Sequence, residues 1–77
     1  MPHINIKHFP REFTDEERTR LSDAITEVIL DHFDTYEGAV SIALEPVAKA
    51  DWKDAVVESE ITGHEHQLLK PPNYQNV

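Results

Sequence analysis

Pro2 follows Met1, and because the side chain after the methionine is small, Met1 is expected to be removed from the mature chain. The mature terminus is then a proline whose nitrogen is a secondary amine rather than an amide. An α-amino group titrates near ~7.7 to 8.0 in model peptides. An apolar pocket or a nearby cation lowers that value until the amine serves as a base at neutral pH. The formal net charge of -8 opposes such a shift at long range, so any lowering has to be local. The chemistry within reach is proton transfer. Without it, Pro2 simply marks the start of a strand.

Other chemistries are less well served. Cysteine is absent, which removes disulfides, thiolate nucleophiles and Cys-ligated zinc together. His64-Glu65-His66 would hold a metal only on a strand, where alternate side chains share a face. The segment reads as helix or turn, where such a pair diverges, so no metal site is assigned. Asp15, Glu16 and Glu17 are explained by the start of a helix, and Asp31 and Asp34 by its exposed end. No carboxylate is assigned to catalysis. His3, beside Pro2, reads as a polar edge or interface residue.

The elements that must position Pro2 follow from periodicity. Pro2 to Phe9 alternates, with Ile4 and Ile6 opposite His3, Asn5 and Lys7, and Pro10 stops the run. Thr14-Asp15-Glu16-Glu17 is a Thr-x-x-Glu capping box with acids in the first turn. Leu21, Ile25, Val28, Ile29 and His32/Phe33 then recur at helical spacing, predicting a helix from about Asp15 to Phe33. Thr35 to Gly38 supplies a turn. Ala39 to Glu45 alternates again, with Val40, Ile42 and Leu44 on one face before Pro46. A strand, a long amphipathic helix and a second strand form an α/β unit of β-α-β type with parallel strands. Beyond it, Asp51 is expected to cap a short helix carrying Trp52, Ala55 and Val56. Thr62 to Glu65 is expected to form a second capping box for a turn ending at Leu68 and Leu69. Pro71-Pro72 cannot continue a helix, and Asn73 suits a left-handed position.

At 77 residues the chain is read as one domain, 1–77, without repeat or linker. Lys+Arg 7 against Asp+Glu 15, with the basic residues scattered, excludes a nucleic-acid or acidic-membrane surface as partner. No signal or spanning segment is recognised, and a cytoplasmic protein is expected. Burial should supply about 120 kcal/mol at this size, against about 115 kcal/mol of ordering entropy. Two parallel strands under one helix also leave one sheet face and both edges open. Both considerations predict a homo-oligomer.

Pro2-His3-Ile4-Asn5-Ile6-Lys7, Phe9-Pro10-Arg11-Glu12, the Thr14 to Phe33 helix, Ser41-Ile42-Ala43-Leu44-Glu45, Trp52 and the closing Lys70-Pro71-Pro72-Asn73-Tyr74 together resemble the 4-oxalocrotonate tautomerase family, and within it the slightly longer PptA-type members. The likeness runs essentially end to end. It implies the 4-oxalocrotonate tautomerase/MIF-like fold: a β-α-β protomer with short C-terminal helices, dimerising into a four-stranded sheet. It also implies Pro2 as general base, no cofactor, and a small-molecule enol or keto acid as substrate. Arg11, in the loop after the first strand, is the candidate carboxylate clamp, although an insertion before Thr14 shifts it by a residue or two. Trp52 takes the place of the family's aromatic near the proline and is the candidate apolar wall. Ser41 stands where founding members carry a second arginine, so enols of monocarboxylic 2-keto acids such as arylpyruvates are expected rather than dicarboxylic dienols. The alternatives are a non-catalytic dimeric small-molecule-binding module and a hydratase or dehalogenase on the same scaffold. In structural terms alone, Arg11 is a solvated loop residue and Trp52 a core or interface anchor.

Overall fold

The computed structural model describes residues 1–74. The described chain divides into two compact units, the first built from Met1–Ile6 with Arg11–Glu45 and the second from Lys7–Pro10 with the described residues from Pro46. Two strands run through them, β1 (His3–His8) and β2 (Ser41–Pro46), and they are neighbours in a two-stranded sheet. The Ser41 N–H donates to the Pro2 carbonyl at 3.1 Å and the Val47 N–H to the His8 carbonyl at 2.8 Å. Both strands therefore advance together, and the pair is parallel. With the helix α1 (Asp15–His32) between them, the expected β-α-β order is observed.

In the first unit, alternation along β1 leaves His3 and Asn5 exposed and Ile4 and Ile6 half-buried. The polar positions pair across the sheet: His3 Nδ1 lies 2.6 Å from Ser41 Oγ, and Asn5 Nδ2 donates to Glu45 Oε1 at 3.0 Å. The start of α1 is fixed by the capping box read from Thr14 and Glu17. The Glu17 N–H donates to Thr14 Oγ1 at 3.1 Å and the Thr14 N–H to Glu17 Oε1 at 3.0 Å, so two otherwise orphaned donors are satisfied. Glu17, Leu21, Ile25 and Ile29 form a half-buried stripe four residues apart. Val28 and Phe33, expected on the apolar face, are instead each 55% exposed, because within α1 only that stripe and the adjoining Thr26 turn inward. No residue of α1 is buried. The helix ends one residue before the expected Phe33, which serves as C-cap. β2 also begins later than expected, since Glu37–Ala39 coils into a 3₁₀ turn closed by the Val40 N–H on the Glu37 carbonyl.

The second unit departs further from expectation. A 3₁₀ turn at Lys49–Asp51 runs through Trp52 into a π-helical segment, Lys53–Ile61. Asp51 does not cap that helix. It lies inside the preceding turn, and Trp52 is already helical (φ -58, ψ -43), so no extended cap residue intervenes. The wide turns close with an i→i+5 bond, the Thr62 N–H on the Val57 carbonyl at 2.8 Å. The Ala55 carbonyl accepts from Ser59 Oγ at 2.5 Å and from Lys7 Nζ at 3.2 Å, and Lys7 also pairs with Glu60. The expected Thr62–Glu65 box is also absent. Gly63 takes a left-handed conformation (φ 82) that only glycine adopts cheaply, and the chain re-enters a short 3₁₀ turn at Glu65–Gln67 from His64. Glu65 Oε1 then accepts from Gly63 rather than Thr62. That bend supplies the one positive φ among the described residues, so Asn73 is not left-handed as anticipated.

Among the described residues, the buried apolar side chains are Ala39 in the first unit and Val47 and Val56 in the second. No described helix is long and apolar enough to cross a membrane.

Candidate active site

Pro2 is half-buried at the head of β1. Its carbonyl is fixed by the Ser41 N–H, and the Ser41 hydroxyl is engaged in turn with His3 at 2.6 Å. Pro2 and the first residue of β1 are thus both tied to one residue of β2. The parallel register places Ser41 opposite Pro2, because a parallel ladder pairs the N–H of one strand with a carbonyl at the matching height of its neighbour. Met1 is 92% exposed, so nothing packs on it that its removal would disturb.

Arg11 also lies in the first unit, in the loop leading to α1. Its Nη2 donates to Glu17 Oε2 at 3.1 Å, and its guanidinium sits 4.4 Å from the centre of the Phe13 ring. One carboxylate therefore does two tasks, capping the helix with Oε1 and holding Arg11 with Oε2. The Glu17 carboxyl is held below its ordinary value, chiefly by the Thr14 backbone N–H, then by the Thr14 side chain, with the Arg11 charge adding to them. Arg11 remains well exposed, with 60% of its side chain in solvent. It is therefore neither a free loop cation nor a buried clamp, but a solvent-facing guanidinium held in place by a helix cap and an aromatic face.

Trp52 belongs to the second unit. The Phe9 ring meets it edge-on, with centroids 4.9 Å apart and planes at 80°, a favourable edge-to-face pairing. Its Nε1 donates to the Tyr74 hydroxyl at 3.2 Å. Phe9, Trp52 and Tyr74 thus make an aromatic cluster in which every polar atom of the indole has a partner. Phe33 is exposed at the end of α1.

Three partners were not legible beforehand. Glu17 as the anchor of Arg11 follows from the capping geometry, which presents its second oxygen to the preceding loop, and a basic residue shortly before a capping box is the signal that would have found it. The His3–Ser41 pair follows from strand register, which sequence alone does not fix. The Trp52–Tyr74 bond spans 22 positions without any periodicity to announce it. A separate groove of about 540 Å³ between α1 and β2 is lined by Arg18, Ser22, Asp23, Ile42 and Leu44 among others. It contains none of Pro2, Arg11 or Trp52.

Residues 2–58 match a family model described as tautomerase enzyme. A tautomerase PptA of Klebsiella pneumoniae (strain 342) is 50% identical over 74 residues, covering 96% of this chain and 97% of that protein. The tautomerase PptA of Enterobacter sp. (strain 638) is 45% identical over the same shares. That of Cronobacter sakazakii (strain ATCC BAA-894) is 39% identical over 97% of this chain and 99% of its own length. With the family model matching well over half of the residues, and these relatives aligned nearly end to end on a β-α-β chain that presents a proline at residue 2, the chain belongs to the tautomerase family of isomerase enzymes.

Proposed function

We propose that the protein is a cofactor-independent keto–enol tautomerase acting on enols of 2-keto acids, arylpyruvates in particular, with Pro2 as general base once Met1 has been removed. The unprotonated Pro2 nitrogen takes the enol hydroxyl proton and returns it to the neighbouring carbon. The net change is a 1,3-shift of one proton, with no electron leaving the substrate. Arg11 holds the carboxylate and steadies the negative charge that develops on oxygen. Trp52 offers the apolar face for an aryl substituent. Ser41 contributes no charge, which favours a monocarboxylic substrate over one with a carboxylate at each end.

The relatives named tautomerase PptA support the reaction class. The observation that carries the reading is Pro2 itself, half-buried at the head of β1 with its carbonyl locked to Ser41. A base that is fixed before substrate arrives loses less freedom in the transition state. A homodimer in the cytoplasm is part of the same proposal, since a two-stranded parallel sheet is an incomplete object alone.

The test is the ultraviolet decay of the enol of phenylpyruvate, with intact-protein mass establishing that the chain starts at Pro2. The wild type accelerates ketonisation, and Pro2→Ala loses about 10²- to 10⁴-fold, the range expected for a positioned general base. Equal rates in the two proteins, or an active enzyme that retains Met1, would remove the mechanism.

A further inference from the structure

The closing segment of the described chain is held in an unusual way. Leu69 is fully exposed, and residues 70–73 are exposed after it. Pro71 and Pro72 lack N–H donors and stiffen the backbone into an extended link. Among the described residues, the one hydrogen bond made by residues 69–74 is that between the Trp52 indole and the Tyr74 hydroxyl. An indole N–H donates only, so the phenol oxygen is the acceptor. Tyr74 is 44% exposed, so its ring is not a core anchor, and the contact that distinguishes it is with Trp52.

Trp52 has two side-chain torsions and, in this unit, two constraints. Phe9 meets one ring edge-on, and Tyr74 fixes the direction of the N–H. The first contact tolerates sliding of the rings, whereas the second is directional. We propose that Tyr74 is a positioning residue which, through this bond, sets the plane of the Trp52 indole before an arylpyruvate ring stacks on it. The proposal rests on the reading of Trp52 as substrate-binding. Without the bond the indole N–H turns to water, the ring samples other orientations, and substrate has to select one of them. Affinity falls while the proton transfer is untouched, because Tyr74 contacts no reacting atom.

The chain contains one tryptophan, so indole emission reports on Trp52 alone. The full-length wild type and Tyr74→Phe, which keeps the ring and removes only the hydroxyl, are compared in two arms. In the first, phenylpyruvate is titrated against Trp52 emission, and the anisotropy decay of the free protein is recorded. The variant is expected to show faster indole motion and a dissociation constant raised roughly threefold to tenfold, the worth of one such hydrogen bond. In the second, enol ketonisation gives KM raised by the same factor with kcat unchanged. A thermal midpoint equal to that of the wild type shows that the variant folds. Unchanged anisotropy with an unchanged dissociation constant overturns the proposal, as does a fall in kcat at constant KM. Absence of any phenylpyruvate quenching in the wild type also overturns it. The first arm does not depend on turnover, so a wild type that binds without catalysing would defeat the proposed reaction and leave the role of Tyr74 standing.

Discussion

Arg11 and Glu17 give the sharpest link between the geometry and the proposed chemistry, because the carboxylate that holds the guanidinium competes with a substrate carboxylate for it. In Glu17→Gln the capping box survives, since a glutamine oxygen accepts from the Thr14 N–H as the glutamate Oε1 does. The other oxygen, which accepts from Arg11 Nη2 at 3.1 Å, becomes an amide group that donates, so the guanidinium is released. Phe13, 4.4 Å beneath it, keeps it from wandering. Side-chain exposures of 60% for Arg11 and 35% for Glu17 place this among solvent-facing pairs, whose strength corresponds to a factor of roughly 1.5 to 5. KM for the enol of phenylpyruvate is therefore expected to fall by about that factor, with kcat little changed. The ratio of wild-type to variant KM should approach unity as salt is raised, since the Debye length shrinks to about 3 Å at 1 M. In an Arg11→Gln background, Glu17→Gln should have no effect on KM. A KM that rises, or an equal fall for an enol that lacks a carboxylate, would refute the competition and with it the assignment of Arg11 as the clamp.

Three further outcomes follow from the same structure. Thr14→Ala removes the hydroxyl that caps α1 and should cost about 1 kcal/mol, lowering the thermal midpoint by roughly 4 to 8 °C in a chain this small, whereas Thr14→Ser should be nearly silent. The Glu17 carboxyl is held below its ordinary value first by the Thr14 backbone N–H, so its stabilising charge is fully present above the ordinary carboxylate range and is lost as pH falls through the depressed value. The wild type should therefore lead Glu17→Gln in thermal midpoint at neutral pH, and the gap should close in acid; a gap that widens contradicts the sign. Gly63→Ala meets no neighbour within 4 Å, but the positive φ of 82 remains, so chemical denaturation should show a loss of about 1 kcal/mol from backbone strain alone.

What was legible in the sequence is what local chemistry determines. The alternation of Ile4 and Ile6 against His3 and Asn5 located β1, and Thr14 with Glu17 located the first turn of α1 correctly, because a capping box satisfies its donors within four residues. What was not legible depends on partners distant in the chain or on rare backbone geometry. Nothing in Lys53–Ile61 signals i→i+5 closure, which an Ala-, Val- and Glu-containing segment does not choose by propensity, and Asp51 reads as a cap until the preceding turn is known to be helical already. The candidate site shows the same division. Pro2 is evident from its position, and Arg11 and Trp52 from resemblance, whereas the groups that hold them, Ser41, Glu17 and Tyr74, come from register, cap geometry and the path of the closing segment.

The first unit also bears on assembly. An 18-residue helix with no buried residue gains little from the packing that normally stabilises helices, and Val28 and Phe33 each leave 55% of their surface in solvent. Two parallel strands cannot hold it, because such a sheet is marginal by itself and usually needs cover on both faces. If a second copy supplies the missing surface, folding and association are one equilibrium and the thermal midpoint depends on protein concentration. For two copies unfolding together, with an enthalpy near 0.7 kcal/mol per residue, the midpoint should rise by roughly 5 °C for each tenfold increase in concentration. Substituting Val28 and Phe33 by polar residues of good helix propensity, Gln for example, should then lower the midpoint by a similar amount at every concentration and leave that slope in place, since one coupled equilibrium carries the whole loss. A midpoint that stays flat over about a hundredfold range of concentration, with the protein sedimenting as a monomer throughout, would show that the chain is complete alone and that these exposed side chains answer to something other than a second copy.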